Sequence, residues 1–304
     1  MSLNSLSPQF GGKVSPTDLD RFKQSKNWDG KKFNNQIETS MSISFWESPK
    51  LIKDNLTNTK VRSPKHDLKY LPFDEIKFQS ADNKPKFVWY CHSALLLQIA
   101  GKNLLIDPML GPNASPIGPI TTKRFTENSL AIIDELPALD AILITHDHYD
   151  HLDLASIKKL KDKCDTWLVA LGVKRHLERW GINPDFITEF DWWDQFALEE
   201  IEITFTPSRH FSGRGLTDRA KSLWGGWVFK TDKHNIYWSG DGGYGPHFKE
   251  IGEKLGPFDW GFMECGQYNK NWHSIHMYPE ESVQAAIEAK VKDAGKMRVE
   301  GKEY

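Results

Sequence analysis

The run Thr145-His146-Asp147-His148-Tyr149-Asp150-His151 puts four potential metal ligands, His146, His148, Asp150 and His151, within six residues. His146 and His148 are two apart, so on an extended segment they point the same way. Asp150 and His151 then need a turn, which would aim them at a second point nearby. That arrangement suits two adjacent cations better than one. Neutral imidazole and carboxylate together favour zinc or a similar transition metal. A chance surface cluster or a tag-like chelating tract would read the same way. The residues just before it argue against both. Ala141-Ile142-Leu143-Ile144 is a short apolar run of buried-strand type, and it ends where the ligands begin. A buried strand end is a rigid support, which metal catalysis needs.

The elements around this cluster follow from the same reading. A helix is expected after it, over 154–163, with Leu154, Ile157 and Leu160 on one face. Upstream, 87–90 and 94–99 read as strands, Gly101-Lys102-Asn103 as a hairpin turn and 104–106 as the return strand, ended by Asp107-Pro108. Residues 109–129 read as a long loop, which in a compact domain is more often functional than idle. Downstream, 167–170 reads as a strand and 173–180 as a helix closed by Gly181. Alternation over 196–206 reads as strands, and 224–230 with 235–239 as another pair. Residues 279–290 read as a helix, because Pro279 suits its first turn and Glu280 and Glu281 suit its positive end. Residues 1–40 are polar and form an expected arm with one short helix over 17–23. Residues 41–86 hold an apolar cluster (Ile43, Phe45, Trp46) and then a charged stretch of loop and short helix. Strands and helices alternate without a break in composition, so 41–304 is expected to be one α/β domain without internal repeats.

Composition bounds the function classes. A hydrophobic content of 39% and a charged content of 26% are ordinary for a globular chain. A net charge of −2 gives no sign of a nucleic-acid surface. Cys91, Cys164 and Cys265 make no disulfide framework and no C-x-x-C pair, and Cys91 and Cys265 read as small buried residues. No apolar run reaches the length of a membrane span, and no signal peptide is visible. Twelve tryptophans imply large aromatic packing. Trp192, Trp193, Trp224 and Trp227 fit either an apolar groove or the core, and the core is the simpler assignment.

Further ligands should lie at other strand ends. His210 follows the strand run ending at Thr206, and Asp241 follows another in a glycine-rich turn that lets backbone approach closely. Taken singly, a lone His is usually a structural residue, and an Asp in a Gly turn is usually turn chemistry. Their order after the H-x-H-x-D-H run gives them weight.

That order resembles the metallo-β-lactamase superfamily, and within it the N-acylphosphatidylethanolamine-hydrolysing phospholipase D branch. The blocks that carry the resemblance begin with Trp89-Tyr90-Cys91-His92-Ser93, Leu105-Ile106-Asp107-Pro108, Thr145 to Asp153 and Asp191-Trp192-Trp193. They continue with Thr206 to Gly215, Leu223 to Trp227, Ser239 to Tyr244, Gly256-Pro257-Phe258-Asp259 and His276 to Glu281. Together they span roughly 28–289. The resemblance implies an αβ/βα four-layer sandwich of two mixed β-sheets with the site at one edge. It implies that His146, His148 and His210 hold a first metal, that Asp150 and His151 hold a second, and that Asp241 bridges them. It implies hydrolysis by a hydroxide between two zinc ions, with manganese or iron as alternatives. His276 then falls near the site, for substrate orientation or proton transfer, or as a structural histidine.

The family has one more ligand for the second metal, a histidine beyond the 279–290 helix, and no histidine follows His276 here. The tail is charged and has no strand-like run, as a truncation would leave it. The second site is therefore expected to be weaker than the first, or completed by water, His273 or His276. The leading expectation is a phosphodiesterase of phospholipase D type acting on a phospholipid-like substrate, with peripheral membrane contact and no nucleic-acid partner. Arg209 and Arg214 flank a ligand and could meet a phosphate, or else pair with carboxylates. A hydrolase of a soluble sugar lactone or cyclic phosphodiester is the alternative, and a catalytically impaired metal-binding protein is another. Oligomeric state and compartment are not legible.

Overall fold

Each apolar run pairs with a neighbour close to it in the chain. The computed structural model describes residues 8–39, 73–80, 84–90, 92–114, 124–215, 217–266 and 270–298. The Ile43, Phe45 and Trp46 cluster, Cys91 and the middle of the 109–129 loop lie outside the described residues. The first six strands are β1 (Lys86–Trp89), β2 (Leu95–Ile99), β3 (Lys102–Ile106), β4 (Ala141–Ile144), β5 (Trp167–Ala170) and β6 (Ile187–Phe190). They form one sheet in chain order. β1 to β3 are antiparallel, and β3 to β6 run parallel. The second sheet has the order β12-β11-β10-β9-β8-β7. Its strands are β7 (Gln195–Leu198), β8 (Ile201–Thr206), β9 (Gly226–Lys230), β10 (Asn235–Trp238), β11 (Phe258–Cys265) and β12 (Val291–Arg298).

Side-chain alternation decides how the sheets stack. Trp227 and Phe229 of β9 and Ile236 and Trp238 of β10 join the large core cluster with β2 to β6. The residues between them, Val228 and Tyr237, face the other way into a second cluster. There they meet Phe248 and Ile251 of the helix His247–Lys254 and Ala285 and Ala286 of the helix Pro279–Glu288. β4 and β5 are buried at every position, as parallel strands covered on both faces must be. Their outer cover includes Ile157 and Leu160 of the helix Leu154–Leu160 and Leu177 of the helix Lys174–Arg179. The result is the expected α/β sandwich of two mixed sheets with helices outside.

Local chemistry sets the element ends. Asp153 caps the helix Leu154–Leu160 by accepting the Ser156 amide at 2.9 Å. Such a cap stabilises a helix by about 1 kcal/mol. The β2–β3 turn is Ala100-Gly101, both at positive φ, so it lies one residue earlier than the sequence suggested. The 154–163 helix ends three residues early, at Leu160.

The tail corrects another expectation. Residues 291–298 form β12, parallel to β11 from Phe258↔Val291 to Cys265↔Arg298. An edge strand is held by main-chain hydrogen bonds and keeps one edge outside the sheet, so charged residues are at home there and no apolar alternation announces it. β6, β11 and the helix His247–Lys254 were likewise not marked from sequence. The start of the chain is more than an arm laid on the surface. Phe22, at the end of the helix Pro16–Phe22, and Phe33 are fully buried in the large core cluster. Among the described residues no helix is long and apolar enough to cross a membrane.

Candidate metal centre

The strand ends of both sheets converge on one edge. β4 delivers Thr145 and His146, β8 leads to His210, β10 leads to Asp241 and β3 ends at Asp107. A backbone hydrogen bond from Gly225 N to Thr145 O (3.2 Å) ties the two sheets beside the site. Gly240 adopts φ +62°, and a Cβ there would stand 2.3 Å from Gly225 O, so the turn before Asp241 requires glycine.

Just beyond the end of β4, the side chains of the 146–148 run part to two sides. His146 and His148 face the site. Asp147 faces the opposite way, accepting from Ser222 Oγ and Gly213 N, each at 2.7 Å, and from His176 Nε2 at 3.3 Å. Burial alone would raise the Asp147 carboxyl; the His176 hydrogen bond and the Arg175 charge hold it well below the usual range. Arg214 donates to Asp147 O and Leu152 O, both at 2.7 Å, and lies over the Tyr149 ring. The ligand loop is thus clamped from beneath.

Three imidazole nitrogens meet at one point. His146 Nε2 and His210 Nε2 lie 3.0 and 3.1 Å from His148 Nδ1. The outer nitrogens fix the tautomers. His210 Nδ1–H donates to Ile275 O at 3.0 Å. Thr145 Oγ1 must donate to the Asp107 carboxylate at 2.7 Å, so it accepts from His146 Nδ1–H at 3.0 Å. Both Nε2 atoms therefore carry lone pairs toward His148, and one proton can serve only one of them. Burial pushes all three imidazoles below their ordinary value, so they stand as neutral rings. The donors fit a cation. Nitrogens 2.0–2.1 Å from a tetrahedral zinc stand about 3.3 Å apart, close to what is found here.

A second point lies beside the first. His151 Nδ1–H donates to Asp107 Oδ2 at 2.9 Å, which turns Nε2 toward Asp241 Oδ2, 3.2 Å away. Burial would lower His151, yet the charges of Asp241 and Asp107 outweigh it and raise it. Burial would raise Asp241, and His151 holds it down. Buried carboxylates here call for positive charge, which a metal ion would supply. Donor atoms of His146, His151 and Asp241 lie within 4.8 Å of one another, as do those of His210, Asp241 and His276. All six sequence-proposed ligands therefore come together, and Asp241 sits between the two points. His148, Asp150 and His276 are half-buried while the others are buried, so the site opens on their side.

His276 Nδ1 bonds to Glu264 Oε1 at 2.9 Å and stands 4.0 Å from Asp241 Oδ2. Burial works to lower His276, but Glu264 and Asp241 outweigh it and raise it. Burial raises Glu264 as well. His273 is spent elsewhere, on Glu281 at 2.8 Å and against the Tyr278 ring.

The arginines depart from expectation. Arg214 is buried on backbone carbonyls, and Arg209 donates to Tyr244 O, Glu38 O and Thr39 Oγ1. The hydrogen bonds of both guanidinium groups run to oxygens of the scaffold. Trp192, Trp224 and Trp227 are core, and Trp193 lies half-buried beneath Lys254. Cys265 is half-buried, less enclosed than expected, and Cys164 is buried.

Four supporting residues carried no role in the sequence reading. Asp107 links Thr145 to His151. Glu264 fixes His276, and its one signal was an acidic residue beside the apolar Phe262-Met263. Asn35 holds both backbone groups of His210, donating to its carbonyl at 2.8 Å and accepting its amide at 3.1 Å. His92, in the loop between β1 and β2, stands 3.2 Å from Asp150 Oδ2.

Comparison with known proteins agrees with this geometry. A family model described as a β-lactamase superfamily domain matches residues 102–295. An uncharacterised protein of Mycobacterium tuberculosis is 40% identical over 208 residues, which are 68% of this chain and 55% of that protein. The N-acyl-phosphatidylethanolamine-hydrolyzing phospholipase D 1 of Caenorhabditis elegans is 33% identical over 208 residues, 64% of this chain and 58% of that one. This chain thus spans just over half the length of these curated relatives. A metallo hydrolase from Ignicoccus hospitalis superposes with a TM-score of 0.52 at 19% identity, covering 69% of this chain and 81% of that chain. At that identity the likeness speaks for the fold alone. The chain belongs to the metallo-β-lactamase superfamily, a family of metal-dependent hydrolases, and within it to the branch resembling the N-acylphosphatidylethanolamine-hydrolysing phospholipases D.

Proposed function

We propose that this chain hydrolyses a phosphodiester bond in a phospholipid-like substrate, as a phospholipase D does, with two divalent cations bound side by side. The observation that carries this reading is Asp241, which shares one donor group with His146 and His151 and another with His210 and His276. His146, His148 and His210 would hold the first cation and Asp150 and His151 the second, with Asp241 as the carboxylate common to both. The donors are imidazole and carboxylate, which suits zinc, with manganese or iron as alternatives. When bound, divalent cations at these residues would supply an acidified water and positive charge for the phosphoryl oxygens. Glu264 keeps His276 protonated on Nδ1 and fixes its ring at the open side of the site. From there it orients the substrate or passes a proton to the leaving oxygen. The name of the nematode relative favours a phospholipid over other esters, and with it contact at a membrane surface.

The test loads the purified chain with zinc. It is offered bis(p-nitrophenyl) phosphate, N-acylphosphatidylethanolamine in mixed micelles and a sugar lactone. Turnover of both phosphodiesters but not of the lactone is expected. Turnover of the lactone alone would replace this reading with hydrolysis of a soluble small molecule. Retained zinc without turnover of any ester would make the chain a metal-binding protein.

A further inference from the structure

We propose that His92 is a side-chain ligand of the second cation, beside Asp150 and His151. The inference rests on the two-cation reading above and adds a ligand to it. Donor atoms of His92, Asp150 and His151 all lie within 4.8 Å of one another. His92 Nε2 is 3.2 Å from Asp150 Oδ2, and on the other side His151 Nε2 is 3.2 Å from Asp241 Oδ2. Both separations match the edge of a coordination tetrahedron, about 3.3 Å for zinc–nitrogen bonds of 2.0–2.1 Å. The His92, Asp150 and His151 donors thus form a triad beside the His146, His148 and His210 triad, and His151 also shares a donor group with His146 and Asp241.

The backbone supplies an independent sign. His92 is 5% exposed and adopts φ +46°, a conformation that side-chain-bearing residues rarely hold unless their surroundings enforce it. The enforcement is visible. Trp89 Nε1 donates to His92 O at 2.9 Å, and the next residue donates from Ser93 Oγ to Asp150 O at 2.8 Å. The β1–β2 loop is therefore fastened to the loop carrying the other two donors. Of the histidines first considered for this place, His273 pairs with Glu281, and His276, its Nδ1 bound to Glu264, falls in the donor group of His210 and Asp241 and not in that of Asp150 and His151.

The competing role for His92 is to donate a hydrogen bond to Asp150 without touching metal. Two substitutions separate the roles. His92→Gln keeps a donor of similar reach and loses the imidazole ligand. His92→Glu keeps a ligand and loses the donor. Metal per chain and the dissociation constant of each equivalent are read by competition with a chromophoric chelator, alongside circular dichroism and Tm. The wild-type chain is expected to bind two equivalents of zinc. His92→Gln should keep the first and weaken the second by on the order of 100-fold or more, at least what losing an outer partner costs. His92→Glu should bind both. If His92→Gln holds the second ion as tightly as wild type, or if His92→Glu weakens it as much as His92→Gln does, the ligand role is overturned while the two-cation reading stands. A wild-type chain that takes up one equivalent only overturns both.

Discussion

The two donor groups share Asp241 but are supported in different ways. The first stands on ends of β4 and β8, and two of its outer nitrogens are tied to other segments: His146 by way of its neighbour Thr145 to Asp107, and His210 directly to Ile275 O. Asn35 further pins the His210 backbone from far away in sequence. The second is assembled from a turn and a loop, with Asp150 half-buried and His92 at positive φ. A site gains rigidity from what holds its ligands and not only from the ligands themselves. The first group should therefore bind metal more tightly, and the second should govern how activity varies with metal concentration.

Breaking the first group should have the largest effect. His210→Ala removes a ligand and leaves lone pairs of His146 and His148 facing an incomplete site. Zinc affinity at that point should fall by on the order of 100-fold or more, beyond the loss typical of an outer partner. Hydrolysis should fall with it. Wild-type affinity in this variant would show that the first group is not a metal site.

Asp107→Asn sharpens the contrast, because Asp107 serves both groups. The amide nitrogen would face His151 Nδ1, which must then accept, and the imidazole proton moves to the Nε2 that faces Asp241. The second equivalent should weaken by roughly 10–100-fold, the first by less. Chelator competition reads both constants. Equal loss at the two points would mean that Asp107 supports the whole edge and not a particular tautomer.

Asn35→Ala tests support from the chain's start. It removes both side-chain hydrogen bonds to the His210 backbone, and with them the bond from Trp224 Nε1. Leaving such buried groups unsatisfied costs about 1–3 kcal/mol, read as a lower Tm. First-group affinity should drop while the second changes little.

Acid should act most gently. His176 lies beneath the first group, where its Nδ1 accepts the Gly12 amide at 3.1 Å and must stay unprotonated. Burial, helped by the Arg175 charge, lowers it to about 3. The unfolded chain takes up this proton nearer pH 6.5. The stability it contributes is thus whole above about 6.5 and declines as pH falls toward 3. Melting curves from pH 7 to 4 should show the decline. His176→Gln, which can still accept from Gly12, should show a shallower slope, and an unchanged slope would remove His176 as its source.

Much of this was legible in the residues. β4 and β5 announce themselves as unbroken apolar runs, and the 196–206 segment alternates, because burial on both faces or on one leaves its mark in the sequence. The histidine-rich run carries its ligands in adjacent positions, so its chemistry can be read locally. β12 was not legible, since an edge strand held by main-chain pairing requires no pattern of its own. β11 was hidden too, its apolar residues interrupted by Asp259, Gly261 and Glu264.

The sequence by itself determined the kind of site: which donors exist, that two of them share a strand end, and which family they resemble. Only the tertiary structure decided what surrounds them. Asp107, Asn35, Glu264 and His92 come from four separate segments, and nothing in their local sequence says that they meet the ligands. Arg209 and Arg214 lie beside a ligand in sequence, yet their donors end on backbone carbonyls and a threonine hydroxyl. Ligand identity is a property of residue type and short spacing. Orientation, tautomer and net charge arise from contacts between residues far apart in the chain, and these exist only once the two sheets have closed on each other.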